Sequence, residues 1–174
     1  MSKIPHTALI TGGSQGIGKA IAIDFAINGV DVIITSRSRD KLDHTLKELS
    51  NYDIKSYAIE ADLNNSSDIE KIFTFITTHE ISVDILVNNA ATIHPKINII
   101  DFDIKEWASV INVNLTSAVR LIQLLLPNMI ENQYGKIINM SSIGDRKGGA
   151  GRSAYRATKA ALISLTESLA AEVK

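Results

Sequence analysis

The 174-residue chain contains no cysteine, which excludes disulfides and thiolate metal sites and makes a reducing compartment the expected setting. An excess of either charge is missing too: 18 Lys and Arg stand against 19 Asp and Glu, a formal net charge of -1. Nucleic-acid binders ordinarily carry a basic excess on one face, so that class is disfavoured. No apolar run approaches the length of a membrane span. The start of the chain, Met1-Ser2-Lys3-Ile4-Pro5, has no apolar stretch of signal-peptide length. His6, His44, His79 and His94 fall at no metal-ligand spacing; no metal site is expected, and these residues are expected on the surface or in loops. There is no tandem repeat, low-complexity tract or linker. The expectation is one cytoplasmic domain over residues 1–174, with no membrane or nucleic-acid partner.

What is present is an alternation. The composition, 45% hydrophobic and 21% charged, is that of a globular protein able to bury a sizeable core. Short Ile- and Val-rich runs at 7–11, 31–35, 54–59, 84–87 and 136–140 show little in/out alternation, as strands buried on both faces should. Stretches with helical spacing separate them. Ile21 and Phe25 lead to a stop at Asn28-Gly29; Leu42, Leu46 and Leu49 mark a second helix; Ile69, Ile72, Phe73 and Ile76 mark a third. Ser67 with Glu70, and Asp103 with Glu106, have capping-box spacing. A further apolar helix over 115–130 contains Pro127, which is expected to kink it. The pattern predicts an α/β fold, a doubly wound parallel sheet of five strands.

The stretch TGGSQGIGKA (11–20) nearly spells two phosphate-binding motifs. From Gly13 it reads as a nucleotide-hydrolysing P-loop until Ala20, where a magnesium-ligating hydroxyl is required. The fourth strand, DILVNNAA, also ends in asparagines rather than an acid that could partner a metal. For a dinucleotide, Gly12 permits the tight turn, Gly16 lets the backbone approach the pyrophosphate and Gly18 allows close helix–strand packing. The phosphates then sit on the helix N-terminus, where free N–H groups and the dipole favour negative charge. The dinucleotide reading is preferred.

NAD sites commonly place an acid at the end of the second strand. Here DVIITSRSR puts Ser36 and Arg37 there, and a guanidinium beside a hydroxyl suits a ribose 2'-phosphate. NADP(H) is favoured over NAD(H). Near the C-terminus, Tyr155 and Lys159 lie one turn apart on one helix face. A phenol's ordinary pKa of about 10 makes it a poor base near neutrality, and a neighbouring ammonium favours its anion. Ser142, after the fifth strand, falls at the same carboxyl edge as the glycine turn.

Taken in order, TGGSQGIG, Asp62, NNAA, Asn114 in NVNLTS, the serines at 141–142 and YRATK resemble the short-chain dehydrogenases/reductases along essentially the whole chain. The resemblance implies that Tyr155 is the general acid/base and that Ser142 orients a substrate carbonyl. Lys159 would bind the nicotinamide ribose and depress the tyrosine pKa, and Asn114 would hold a proton-relay water. Asp62 and Leu63 would contact the adenine, and Asn89, Ala90 and Ala91 would line the cofactor. With Ser36, Arg37, Tyr155 and Lys159, the turn residues Gly12, Ser14, Gln15, Gly16, Ile17 and Gly18 complete the expected cofactor contacts. The implied activity is carbonyl reduction or alcohol oxidation, on a small ketone or a 3-oxoacyl thioester. A fragment that binds cofactor without turnover is the alternative.

Three departures stand out. Ala91 occupies a usual glycine position and is expected to stiffen that turn slightly. Gln15 replaces the basic residue that many NADP-preferring relatives carry. Family members continue beyond the position of Lys174 through two more strands, a substrate-covering loop and a helix, so a shortened chain is expected. GDRKGGAGR (144–152) is expected as a flexible active-site loop. On the last helix, Ala157, Ala161, Ser164, Ser168 and Ala171 form a small-residue stripe, apart from a site-facing row of Tyr155, Lys159, Leu162, Thr166 and Leu169. With the family's paired-helix assemblies, the stripe implies a homodimer or homotetramer.

Overall fold

The computed structural model describes residues 6–143 and 149–173. Its five strands, β1 (Thr7–Thr11), β2 (Asp31–Ser36), β3 (Ser56–Glu60), β4 (Ile85–Asn88) and β5 (Lys136–Asn139), form one sheet in the order β3-β2-β1-β4-β5. All four pairings are parallel. The chain steps outward from β1 through β2 and β3, then returns to the other side of β1. Strand order therefore reverses at β1, and a crevice opens at the carboxyl ends of β1 and β4.

Helices α1 (Gly16–Ile27) and α2 (Arg39–Leu49) cover one face, packing Ala22, Ala26, Leu42 and Leu49 against Ala8, Ile10, Val32 and Ile34. Helices α3 (Ser66–Thr78) and α5 (Ser117–Glu131) cover the other, packing Ile69, Ile72, Leu121 and Leu125 against Leu9, Ile33 and Leu86. Leu165 and Leu169 of α6 (Ser153–Glu172) join the rim of that second cluster. Each fully buried Leu or Ile contributes roughly 1.5–3 kcal/mol by leaving water. Side-chain carboxylates close the opposite, amino edge of the sheet: Asp84 accepts from the Thr7 amide at 3.0 Å and Asp31 from the Lys55 amide at 2.7 Å. The carboxyl edge is left for the site.

Several expectations need correction. The strand predicted over 54–59 is displaced to Ser56–Glu60, because Ile54 closes a tight turn onto the Tyr52 carbonyl. Ser67 caps nothing: Asn65 is the N-cap of α3, and Asp68 turns back to accept from the Asp62 amide at 2.8 Å. Asp103 does cap α4 (Ile104–Ile111), accepting from the amides of Lys105 and Glu106. The helix predicted over 115–130 starts earlier, because a π-helical turn, Asn112–Thr116, welds α4 to α5. The continuous helix Ile104–Glu131 is thereby long and apolar enough to cross a membrane by length and composition. Its apolar residues Leu121, Ile122, Leu125 and Met129 are instead buried in the core. Pro127 lies inside α5, which runs on to Glu131. On α6, Ala157, Ser164, Ser168 and Ala171 are exposed, whereas Lys159 and Leu162 are buried.

Candidate active site

The glycine turn joins β1 to α1 at the switch point. Gly16 has φ +56, in the region that favours glycine, and a Cβ there would meet nothing within 4 Å: the space in front of the turn is open. At Gly18 a Cβ would lie 2.4 Å from the Gly12 carbonyl oxygen, so only glycine allows this contact between helix and turn. Gln15, the N-cap of α1, makes no side-chain cap hydrogen bond, and the first turn holds no acid. The first amides of α1 are left to an incoming anion. These features fit a dinucleotide pyrophosphate.

A cleft of about 300 Å³ opens in front of the turn. It is lined by Gly12, Ser14, Gln15 and Gly16 from the turn, Ser36 and Arg37 after β2, Asp62 and Leu63 after β3, and Asn89, Ala90 and Ala91 after β4. The structure thus brings most of the sequence-predicted cofactor residues to one cleft. Gly18 packs beneath the turn, and Ile17 is 63% exposed outside the lining. Thr35, Ala61, Thr92 and Val113 also line the cleft but were not singled out in the sequence. Thr35, Ala61 and Thr92 adjoin residues at strand ends that were, and Val113 adjoins Asn114.

Thr11 ties β4 to the turn. Its hydroxyl donates to the Val87 carbonyl and accepts from the amides of Asn89 and Ala90, both at 3.0 Å. The Asn89 carboxamide donates back to the Thr11 carbonyl at 2.9 Å, so this side chain fastens the cleft wall. Ala91 is not among the residues with positive φ, and its methyl is accommodated without left-handed strain.

Lys159, on α6, is only 3% exposed, and its ammonium donates to the Met140 carbonyl at 2.5 Å. Burial pushes its pKa below the ordinary lysine value. The same ammonium lies 5.8 Å from the Tyr155 ring centroid. Ser141 donates to the Lys159 carbonyl at 2.9 Å, fixing the start of the 141–143 loop, and hence Ser142, against α6. Asn114 lies on the π turn, a distortion frequent at functional sites. Its carboxamide accepts from the Thr92 amide at 2.7 Å and donates to the Thr92 carbonyl and the Thr158 hydroxyl. Thr158 in turn donates to the Tyr155 carbonyl at 2.7 Å. Asn114 therefore fastens the cleft wall to the turn of α6 that carries Tyr155. No group of three or more metal-ligating side chains occurs among the described residues.

Residues 144–148 of the expected flexible loop lie outside the described residues. Beyond them, Arg152 donates to the His94 carbonyl and Gly151 accepts from the Ile97 amide at 3.2 Å. Of the four histidines, His94 lies in a loop, within expectation, and is 3% exposed, edge-on to Phe102 at 4.5 Å. Its Nδ1 lies 2.7 Å from the Pro95 carbonyl, while Nε2 is buried without a partner. The aromatic cluster of His94, Phe102 and Trp107 accounts for that burial.

Residues 6–174 match the short chain dehydrogenase family. The chain belongs to that family. It is 37% identical over 167 residues to the 3-oxoacyl-(acyl-carrier-protein) reductase FabG of Aquifex aeolicus, covering 95% of this chain and 67% of the relative. With the enzyme of the same name from Buchnera aphidicola it shares 37% over 174 residues, 99% of this chain and 69% of the relative. Among solved structures, a metagenomic short-chain oxidoreductase in complex with NADP superimposes with a TM-score of 0.90 at 33% identity, covering 96% of this chain and 76% of that one. A ketone-specific alcohol dehydrogenase from Comamonas testosteroni gives 0.89 at 28% identity, covering 97% and 67%. The family member described here thus spans about two thirds of the length of the reductases it matches.

Proposed function

We propose that the protein is an NADP(H)-dependent oxidoreductase interconverting a ketone or 3-oxoacyl group with a secondary alcohol. The observation carrying this reading is Lys159. Burying an ammonium is costly unless it is paired or hydrogen-bonded, and a packing role would be met more cheaply by an aliphatic residue. Here it is held on one carbonyl, a turn from Tyr155, at the sheet edge where the glycine cleft opens. Relatives named as 3-oxoacyl reductases and a neighbour bound to NADP support the substrate and cofactor class.

In this reading the amides of the glycine turn would hold the pyrophosphate, Asp62 and Leu63 the adenine, and Ser36 and Arg37 the 2'-phosphate. Lys159 would hold the nicotinamide ribose. The bound cofactor supplies or accepts hydride. Tyr155 gives its phenolic proton to the substrate oxygen during reduction and takes it back during oxidation, so each direction restores the other's starting state. Ser142 donates a hydrogen bond to that oxygen and orients the carbonyl. Asn114 keeps Tyr155 and the cleft wall in register and holds the water that returns the proton. Self-association through the exposed small-residue face of α6 belongs to the same reading.

A second reading, cofactor binding without turnover, is favoured by one feature. Beside β5, an apolar groove lined by Leu126, Met129, Tyr134, Ile137 and Leu169 is open, and Ile138 is 42% exposed. The catalytic side of the molecule is thus less enclosed than the nucleotide side.

Titration of the purified protein with NADPH, followed through its single tryptophan, Trp107, and then a panel of ketones and 3-oxoacyl thioesters separate these readings. Binding with NADPH consumption supports the first. Binding without consumption on any substrate supports the second, and absence of binding overturns both.

A further inference from the structure

The basic side chains around the adenosine end of the cleft are not equivalent. Lys19 is held by Glu48 at 2.6 Å, and Arg39 by Asp43 at 2.6 Å. Lys41 is different: its ammonium donates to Gln15 Oε1 at 2.7 Å, and among the described residues no carboxylate lies within 4.0 Å of it. Gln15 itself lines the cleft beside Ser14 and Gly16, opposite Ser36 and Arg37. Lys41 belongs to the first turn of α2, whose N-cap Ser38 accepts from the Lys41 amide. The Ser38 amide donates to Ser36 Oγ at 3.3 Å. The tight connection from β2 into α2 therefore brings a cation back over the turn that joins β1 to α1.

We infer that Lys41 is a second cation for the phosphate on the 2'-hydroxyl of the adenosine ribose, with Gln15 as the neutral arm that holds it at the cleft. This inference rests on the NADP(H) reading and sharpens it. The glycine turn has no basic residue of its own, since Gln15 stands there. A positive charge reaches the same place through space, from a residue 26 positions further along the chain. Arg37 approaches from the end of β2 and Lys41 from α2, leaving the dianion between a guanidinium fork and an ammonium, two groups suited to phosphate. A 2'-hydroxyl offers neither cation anything comparable. The arrangement therefore discriminates for the phosphate rather than strengthening nucleotide binding in general.

The test uses adenosine 2',5'-bisphosphate (2',5'-ADP) and 5'-AMP, which differ only in the 2'-phosphate, with calorimetric Kd values for the intact protein. The parent is expected to bind 2',5'-ADP more tightly by a wide margin. One charge-assisted bond is worth roughly tenfold or more, and at this exposed position Lys41→Gln should reduce the preference by about five- to tenfold. Binding of 5'-AMP should stay within about twofold. Gln15→Glu should reduce the preference similarly, by giving Lys41 a carboxylate partner. Gln15→Lys combined with Lys41→Gln should restore it, because the charge returns to the turn itself. The preference should also fall with added salt less steeply in Lys41→Gln than in the parent. If Lys41→Gln leaves the preference unchanged while Arg37→Leu abolishes it, Lys41 is not part of the subsite and the NADP(H) reading survives. A parent with no preference for 2',5'-ADP overturns both.

Discussion

The two sides of the sheet are built differently. On the nucleotide side, every residue of β1 is buried, β2 is buried through Thr35, and α1 and α2 close over them with an aliphatic core. On the catalytic side, β5 alternates exposed and half-buried residues and forms the sheet edge among the described residues. There α6 is fastened largely by polar contacts: Lys159 to the Met140 carbonyl, Ser141 to the Lys159 carbonyl, and Asn139 to Thr166 at 2.9 Å. Asn139 is itself held by buried Asn88 at 2.8 Å, which relays the clasp to β4. The proposed nucleotide site thus rests on core packing that is hard to perturb locally. The proposed catalytic geometry rests on a few hydrogen bonds, each individually removable.

The comparison breaks most sharply at Tyr155. If the nucleotide side is self-sufficient, Tyr155→Phe removes only the transferable proton. Ketone reduction should fall by roughly 10²–10⁴, with the Kd for NADPH within about twofold of the parent. A variant keeping more than about a tenth of the parental rate would show that another group supplies the proton.

A smaller effect is expected from the clasp. Thr166→Val keeps the shape of the side chain but leaves Asn139 Nδ2 without its acceptor. The contact is exposed, so the loss should be no more than about 1 kcal/mol. Amide exchange in α6 should then quicken by up to about fivefold while β1 and β2 keep their protection. Equal acceleration on both sides would mean that the sheet opens as one unit and that the contrast between its halves has no energetic counterpart.

Much of this was legible in the sequence where backbone geometry demands a residue type. Gly16 announces the turn through a backbone φ that favours glycine and Gly18 because a Cβ would strike the Gly12 carbonyl, and the Ile- and Val-rich runs announce strands covered on both faces. Asp103 announces the start of α4 for the same reason: a cap is a local bond. What the sequence hid depends on distance in space or on hydrogen-bonding patterns with no residue signature. The π turn at Asn112–Thr116 shifts the helical bonding by one residue without a glycine or proline to mark it. Lys41 meets Gln15 only because α1 and α2 lie side by side. His94 reads as a loop histidine until Phe102 is seen to cover it. Ser67 mimics a cap, but Asp68 is drawn back to the Asp62 amide, and the N-cap falls two positions earlier, on Asn65.

The last test concerns the charge on Lys159. Its burial lowers the folded-state pKa below the ordinary lysine value of 10.5. In the unfolded chain the ammonium keeps its proton until close to that value, whereas the folded protein releases it earlier. Between the two, the unfolded state binds more protons, so stability rises with pH. Below the folded pKa both states are protonated, and the full penalty for burying the charge applies. Lys159→Met has a similar length and no proton to release, so it should lack this component. From pH 7 to 10.5 the parent should therefore gain stability relative to Lys159→Met, by about 1.4 kcal/mol for each unit of depression. Urea midpoints for the two proteins at matched ionic strength measure the difference. A gap that does not change with pH would mean that Lys159 titrates alike in both states, and that the Met140 carbonyl offsets the whole cost of its burial.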